Sequence, residues 1–176
     1  FNDKANQGAP EVYKEKDLKI LASNLCTEIM LPSNENWSFV CVLSSLNVLH
    51  YDKWKDTDAV ETMVHFLDAV ITEFLDKLDV YRDSTDREDR QTFLFMERAY
   101  NFAKENRALG LGVLGWHSLL QSKKLSFNSQ EAYNLNTEIF KLIKEKSYKA
   151  SEELADRFGE PEVMKGYGRR NATLNA

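Results

Sequence analysis

Apolar residues change their spacing several times along this chain, and each change marks an expected element. Residues 1–17 are polar and keep no steady period, which predicts an irregular lead-in. Leu18, Ile20, Leu21, Leu25, Ile29, Met30 and Leu31 then predict a strand or extended loop that Pro32 and Ser33-Asn34 end. From Trp37 to Leu49 the chain is a continuous β-branched, aromatic and aliphatic run, the pattern of a strand buried on both faces.

Beyond Asp56 the period lengthens. Val60, Val64, Leu67, Val70, Ile71, Phe74 and Leu78 recur at steps of three and four and predict a helix, with Asp56 or Thr57 as its cap. The charged stretch from Asp79 to Arg90 reads as a solvated turn, and Phe93, Met96, Ala99, Tyr100 and Ala103 predict a second helix ending near Asn106. Arg107 to Val113 is short, apolar and glycine-rich, as in a buried strand, and enters a helix over Trp116 to Lys123. Asn128 with Glu131 three residues on resembles a capping box, and the stripe Leu135, Ile139, Leu142, Ile143, Ala150, Leu154 and Phe158 predicts the longest helix, ending at Gly159 and Pro161. Residues 165–176 contain no finished element.

Strands separated by long helices point to an α/β fold with a parallel component. Three or four short strands make a poor sheet, so the chain is expected to be one section of a larger α/β domain. It divides into a lead-in (1–17), a loop and buried strand (18–55), a mainly helical stretch (56–164) and a tail (165–176).

Composition narrows the function classes. Acidic residues outnumber basic ones 28 to 23, for a net charge of -5, which argues against a cationic surface for nucleic acid. Uncharged stretches such as Ala108 to Ser122 fall short of the roughly 20 apolar residues that span a bilayer. The first ten residues lack the basic start and apolar run of a secretory signal. Neither nucleic acid nor membrane is an expected partner, and the location indicated is cytoplasmic. Two cysteines are too few for a disulfide scaffold.

The segment Ser23-Asn24-Leu25-Cys26-Thr27-Glu28-Ile29 carries an amide, a thiol and a carboxylate at every second position. Extended backbone would place Asn24, Cys26 and Glu28 on one face, whereas a helix would set Asn24 and Cys26 about 200° apart. An extended or looped presentation is therefore required. An amide can hold a hydroxyl, a carboxylate can accept its proton, and a thiol can give up a proton or a hydrogen atom, a set suited to chemistry on a polyol.

Four ordered blocks carry a family resemblance: Ser23 to Ile29; the run Phe-Val-Cys-Val-Leu-Ser-Ser-Leu-Asn-Val with the second cysteine, Cys41; Asn106 to His117; and Arg170 to Ala176. Together they resemble the large, catalytic subunit of class I ribonucleotide reductase. The resemblance implies a section of a ten-stranded α/β barrel with a finger loop inside it. It implies that Cys26 becomes a thiyl radical that abstracts the 3′ hydrogen of a ribonucleoside diphosphate, that Glu28 takes the 3′-OH proton, and that Asn24 holds substrate hydroxyls. Residues Asn24, Leu25, Cys26, Thr27 and Glu28 would line the substrate, and Cys41 would be one of two reducing thiols. It further implies a metal-containing small subunit as the radical source, thioredoxin or glutaredoxin as reductant, effector nucleotides bound elsewhere, and no metal or cofactor in this chain. The second reducing cysteine has no counterpart here, so the chain is expected to be a split or truncated piece, inactive until other segments complete it.

Other readings compete. The cysteines could be core residues of a noncatalytic helical interaction module, or could form a local disulfide. Gly110-Leu111-Gly112-Val113-Leu114-Gly115 satisfies a dinucleotide fingerprint, although no full strand precedes it. His50, His65 and His117 lack ligand spacing, and Trp37, Trp54 and Trp116 read as packing residues.

Overall fold

The long helices predicted from apolar periodicity are all present in the computed structural model, which describes residues 1–40 and 42–174. In chain order the elements are α1 (Asn2–Gly8), α2 (Glu11–Glu15), β1 (Leu43–Asn47), α3 (Tyr51–Trp54), α4 (Ala59–Asp83), α5 (Arg87–Asn106), β2 (Gly110–Leu114), α6 (Trp116–Ser122) and α7 (Gln130–Phe158). Single turns of 3-10 helix occupy Val48–His50 and Glu162–Met164.

β1 and β2 pair in parallel, Leu43 opposite Gly110 and Asn47 opposite Leu114. Helix α4 packs on both α5 and α7, and its buried stripe of Val60, Val64, Leu67, Ile71, Leu75 and Leu78 forms the centre of the larger core with Ile139, Ile143 and Ala150 of α7. Each of these buried Val, Leu and Ile side chains contributes roughly 1.5–3 kcal/mol relative to exposure. A second core gathers Val12 and Tyr13 of α2 with Ile20, Ile29, Leu31, Trp37, Phe102 and Ala172. It is this cluster that fixes the residues on either side of position 26.

Several boundaries differ from the sequence expectation. The lead-in is not irregular: α1 and α2 lie in it, with Pro10 at the N-cap of α2. Helices of seven and five residues are too short to establish a period, so the pattern could not register them. Of the two readings for residues 18–32, strand or extended loop, the loop holds; the run from Trp37 to Leu49 is not one continuous strand buried on both faces. Among the described residues of this run the strand is Leu43–Asn47, Leu43 and Ser45 are exposed, and the chain then turns into 3-10 helix as the Asn47 side chain accepts from the Leu49 N–H at 3.1 Å. Helix α4 runs on to Asp83, through residues expected to be a turn, with an Arg82–Asp79 ion pair bracing its last turn. Asp86 caps α5 by accepting from the amides of Glu88 and Asp89. Ser129, not Asn128, caps α7, accepting from the Ala132 N–H at 3.1 Å; the expected capping box does not form, because the residue three beyond the cap is Ala132 and Glu131 falls one position short.

Candidate active site

Residues 24–28 form a tight turn rather than the extended strand that would place alternate side chains together. The Asn24 N–H donates to the Ile29 carbonyl at 3.1 Å, and the Thr27 N–H donates back to the Asn24 carbonyl at 3.2 Å. The Asn24 side chain closes the turn a second time. Its oxygen accepts from the Ile29 N–H at 3.1 Å while its Nδ2 donates to Glu28 Oε1 at 2.8 Å. Asn24 and Glu28 thus converge as expected, but through reversal of the chain. Thr27 adopts φ 69°, a left-handed conformation that costs an L-residue about 1–2 kcal/mol and is least comfortable for a β-branched one.

Cys26 sits on this turn as a free, exposed thiol, and its neighbour Leu25 is 99% exposed. The exposure removes the core-packing reading for Cys26. Cys41, and with it any pairing between the two cysteines, lies outside the described residues.

Both flanks of the turn are anchored. On the incoming side Asn6 acts as a surrogate strand edge, accepting from the Ile20 N–H at 3.0 Å and donating to the Ile20 carbonyl at 2.9 Å. On the outgoing side Arg98 of α5 donates to the carbonyls of Asn34 and Trp37, and its own carbonyl accepts from the Ser38 N–H. Ile29, Leu31 and Trp37 are buried in the second core.

A cavity of about 410 Å³ opens beside the turn, within the usual size range of small-molecule sites. Glu28 reaches its rim, Lys4 of α1 brings a cation, and Val42, Leu109, Gly110 and Thr173 form part of the wall. Of the expected trio, Glu28 contacts this space, whereas Asn24 and Cys26 do not line it. Lys4 and Thr173 escaped the sequence reading, because one lies on a helix too short to predict and the other among residues 169–174, which carry no helix or strand.

The reading also missed a buried charged cluster. Asp68 of α4, Arg107 at the C-cap of α5, Asn171 and Ser151 are all buried. Asp68 Oδ1 accepts from Arg107 Nε at 2.8 Å and Asn171 Nδ2 at 2.9 Å, and Oδ2 from an Arg107 amino nitrogen at 2.9 Å and Arg170 Nε at 3.0 Å. Burial alone would push the Asp68 carboxyl upward, but hydrogen bonding and charge from Arg107, with Arg170 and Asn171, hold it below its ordinary value. The signal was available: position 68 falls within the apolar stripe, one residue past Leu67 and three before Ile71.

The glycine fingerprint is resolved differently from a nucleotide loop. Gly110 and Gly112 belong to β2 itself, paired with β1, so no strand precedes them as a Rossmann turn requires. Gly115 has φ 82°, and a Cβ there would come within 2.6 Å of the Asn47 side-chain oxygen, so close packing explains that glycine. Among the described residues no group of three or more His, Cys, Asp or Glu could hold a metal ion, and no helix is long and apolar enough to cross a membrane.

Residues 1–174 match the family model described as ribonucleotide reductase, barrel domain. A protein of Frog virus 3 (isolate Goorha), provisionally named ribonucleoside-diphosphate reductase large subunit, is 41% identical over all of this chain and 29% of its own length. The ribonucleoside-diphosphate reductase large subunit of Invertebrate iridescent virus 3 is 35% identical over 99% of this chain and 26% of its own. The solved Actinobacillus ureae class Id ribonucleotide reductase alpha subunit superposes with a TM-score of 0.88 at 54% identity, over 99% of this chain and 31% of that one. The chain therefore spans about three tenths of the length of the relatives it matches. The helices and two-stranded parallel sheet are a section of that α/β barrel, and the chain belongs to the ribonucleotide reductase barrel-domain family.

Proposed function

We propose that this chain is the section of a ribonucleoside-diphosphate reductase large subunit that carries the radical-bearing cysteine, and that further segments complete it for activity. The observation that supports this most is the closed, non-helical turn that exposes the Cys26 thiol and ties Asn24 to Glu28 at 2.8 Å beside a cavity. In this reading a thiyl radical on Cys26 takes the hydrogen from C3′ of a ribonucleoside diphosphate, forming S–H and leaving a carbon radical. S–H and activated C–H bonds are close in strength, so the transfer is nearly balanced and reversible. Glu28 accepts the 3′-OH proton as general base, while Asn24 holds the carboxylate in place and meets the substrate hydroxyls. The 2′-OH leaves as water. Cys41 and a thiol from another segment supply the two electrons, becoming a disulfide, and C3′ regains its hydrogen from Cys26.

A separate metal-containing small subunit supplies the radical, and thioredoxin or glutaredoxin returns the disulfide to dithiol by exchange. Effector nucleotides bind outside this section. The test is deoxynucleotide formation by the assembled subunit with its radical source and a dithiol reductant. Cys26→Ser abolishes product while nucleotide binding persists; retained turnover overturns the proposal. Cys41→Ser permits only a substoichiometric release of product before turnover stops.

A further inference from the structure

Residues 169–174 carry no helix or strand, yet they are densely hydrogen-bonded. The N–H groups of Arg170 and Asn171 both donate to Ser151 Oγ of α7, which in turn donates to the Asn171 side-chain oxygen at 2.8 Å. Asn171 Nδ2 bridges Asp68 and the Arg107 carbonyl. Arg170 joins Asp68 to the last carbonyls of α7, donating to those of Phe158 and Gly159 at 3.0 and 2.8 Å. The end of α5 and the tail therefore meet on the Asp68 carboxylate of α4, and α7 is tied in through Arg170 and Asn171.

What this cluster holds is the edge of β2. The β2 strand alternates its donors: the Gly110 N–H bonds to Val42 on the β1 side at 2.8 Å, whereas the Leu109 and Leu111 N–H groups bond to the carbonyls of Thr173 at 3.0 Å and Leu174 at 3.2 Å. Two donors separated by two residues meet two consecutive acceptors, so this pairing is no regular ladder and cannot set its own register. Thr173, fixed by it, stands in the wall of the cavity that Glu28 rims.

We propose that Asp68, with Arg107, Arg170, Asn171 and Ser151, is a positioning device that registers residues 170–174 on the free edge of β2 and thereby places Thr173 in the substrate cavity. The substrate part of this inference rests on the reductase reading above; the register part does not. Asp68 and its partners are positioning residues, and Thr173 is the group through which they act. A purely structural cluster would stabilise the helices without directing substrate.

The test uses the assembled large subunit and two variants that trim the device without stranding a charge, Ser151→Ala and Asn171→Ala. Hydrogen exchange resolved to single amides is expected to accelerate about tenfold or more at Leu109 and Leu111, with Gly110 unchanged. Equal acceleration at Gly110, or none at Leu109 and Leu111, overturns the proposal. In turnover, both variants and Thr173→Val are expected to raise the KM for the nucleoside diphosphate about tenfold at nearly constant kcat, with Thr173→Ser restoring it. Combining Asn171→Ala with Thr173→Val adds nothing further to KM; additive losses would show that the cluster does not act through Thr173. The exchange arm needs no substrate, so absence of reductase activity in the wild-type subunit would sink the functional reading while exchange still decides the register.

Discussion

The turn at residues 24–28 and the cluster around Asp68 are both built from side chains bonded to neighbouring backbone, yet they lie at opposite ends of the burial scale. The turn is closed by a few local bonds, carries an exposed thiol and keeps Thr27 in a left-handed conformation. Asp68 is 4% exposed and its carboxylate has four donors drawn from two separated parts of the chain, Arg107 and the Arg170-Asn171 pair. The proposed chemistry thus falls where the backbone is strained and open, and the supporting geometry falls where a buried carboxylate accepts four hydrogen bonds. Strain of this kind persists only where the surroundings over-determine it, which the anchored flanks at Ile20 and Trp37 supply.

The largest expected effect that sharpens the contrast is at the cluster. Asp68→Asn removes the negative charge between two guanidinium groups and should cost about 3–5 kcal/mol in denaturant unfolding, because a buried cation is left uncompensated. A loss within experimental error would mean that solvent reaches the site. The same carboxyl predicts a pH dependence. Its folded pKa lies below the ordinary value of 3.8, so its contribution is complete above that value and is lost as pH falls through the folded pKa. The stability gap between wild type and Asp68→Asn should therefore narrow below about pH 4; a gap that widens there would contradict the assignment.

Effects at the turn should be smaller. Thr27→Gly relieves about 1–2 kcal/mol of left-handed strain but adds about 0.5–1 kcal/mol of unfolded-state freedom, for a net gain between about 0 and 1.5 kcal/mol. A clear destabilisation would show that the threonine side chain has packing the turn depends on. Smallest of all, Leu25→Ala should move stability by less than about 0.5 kcal/mol, since Leu25 is 99% exposed, while Leu67→Ala in the core should cost about 2–5 kcal/mol.

The same contrast explains what the sequence made legible. Helices α4, α5 and α7 announced themselves because their apolar stripes repeat the signal over several turns, and the Asn24-to-Glu28 spacing flagged a candidate site because three reactive groups crowd five residues. Helices α1 and α2, the Ser129 cap and the early end of β1 at Asn47 are decided by single hydrogen bonds or one turn of backbone, below what periodicity can resolve. Lys4 and Thr173 reach the cavity from segments with no pattern of their own. Asp68 was readable as an acid on an apolar stripe, but its partners lie up to 103 positions away, and nothing local names them.

The most direct measurement is alkylation of Cys26 in the assembled subunit, followed by peptide mass spectrometry, with and without a ribonucleoside diphosphate. The account predicts ready modification, protection by the nucleotide, and loss of deoxynucleotide formation in proportion to the fraction of Cys26 modified. A subunit fully modified at Cys26 that still turns over at the wild-type rate would contradict it.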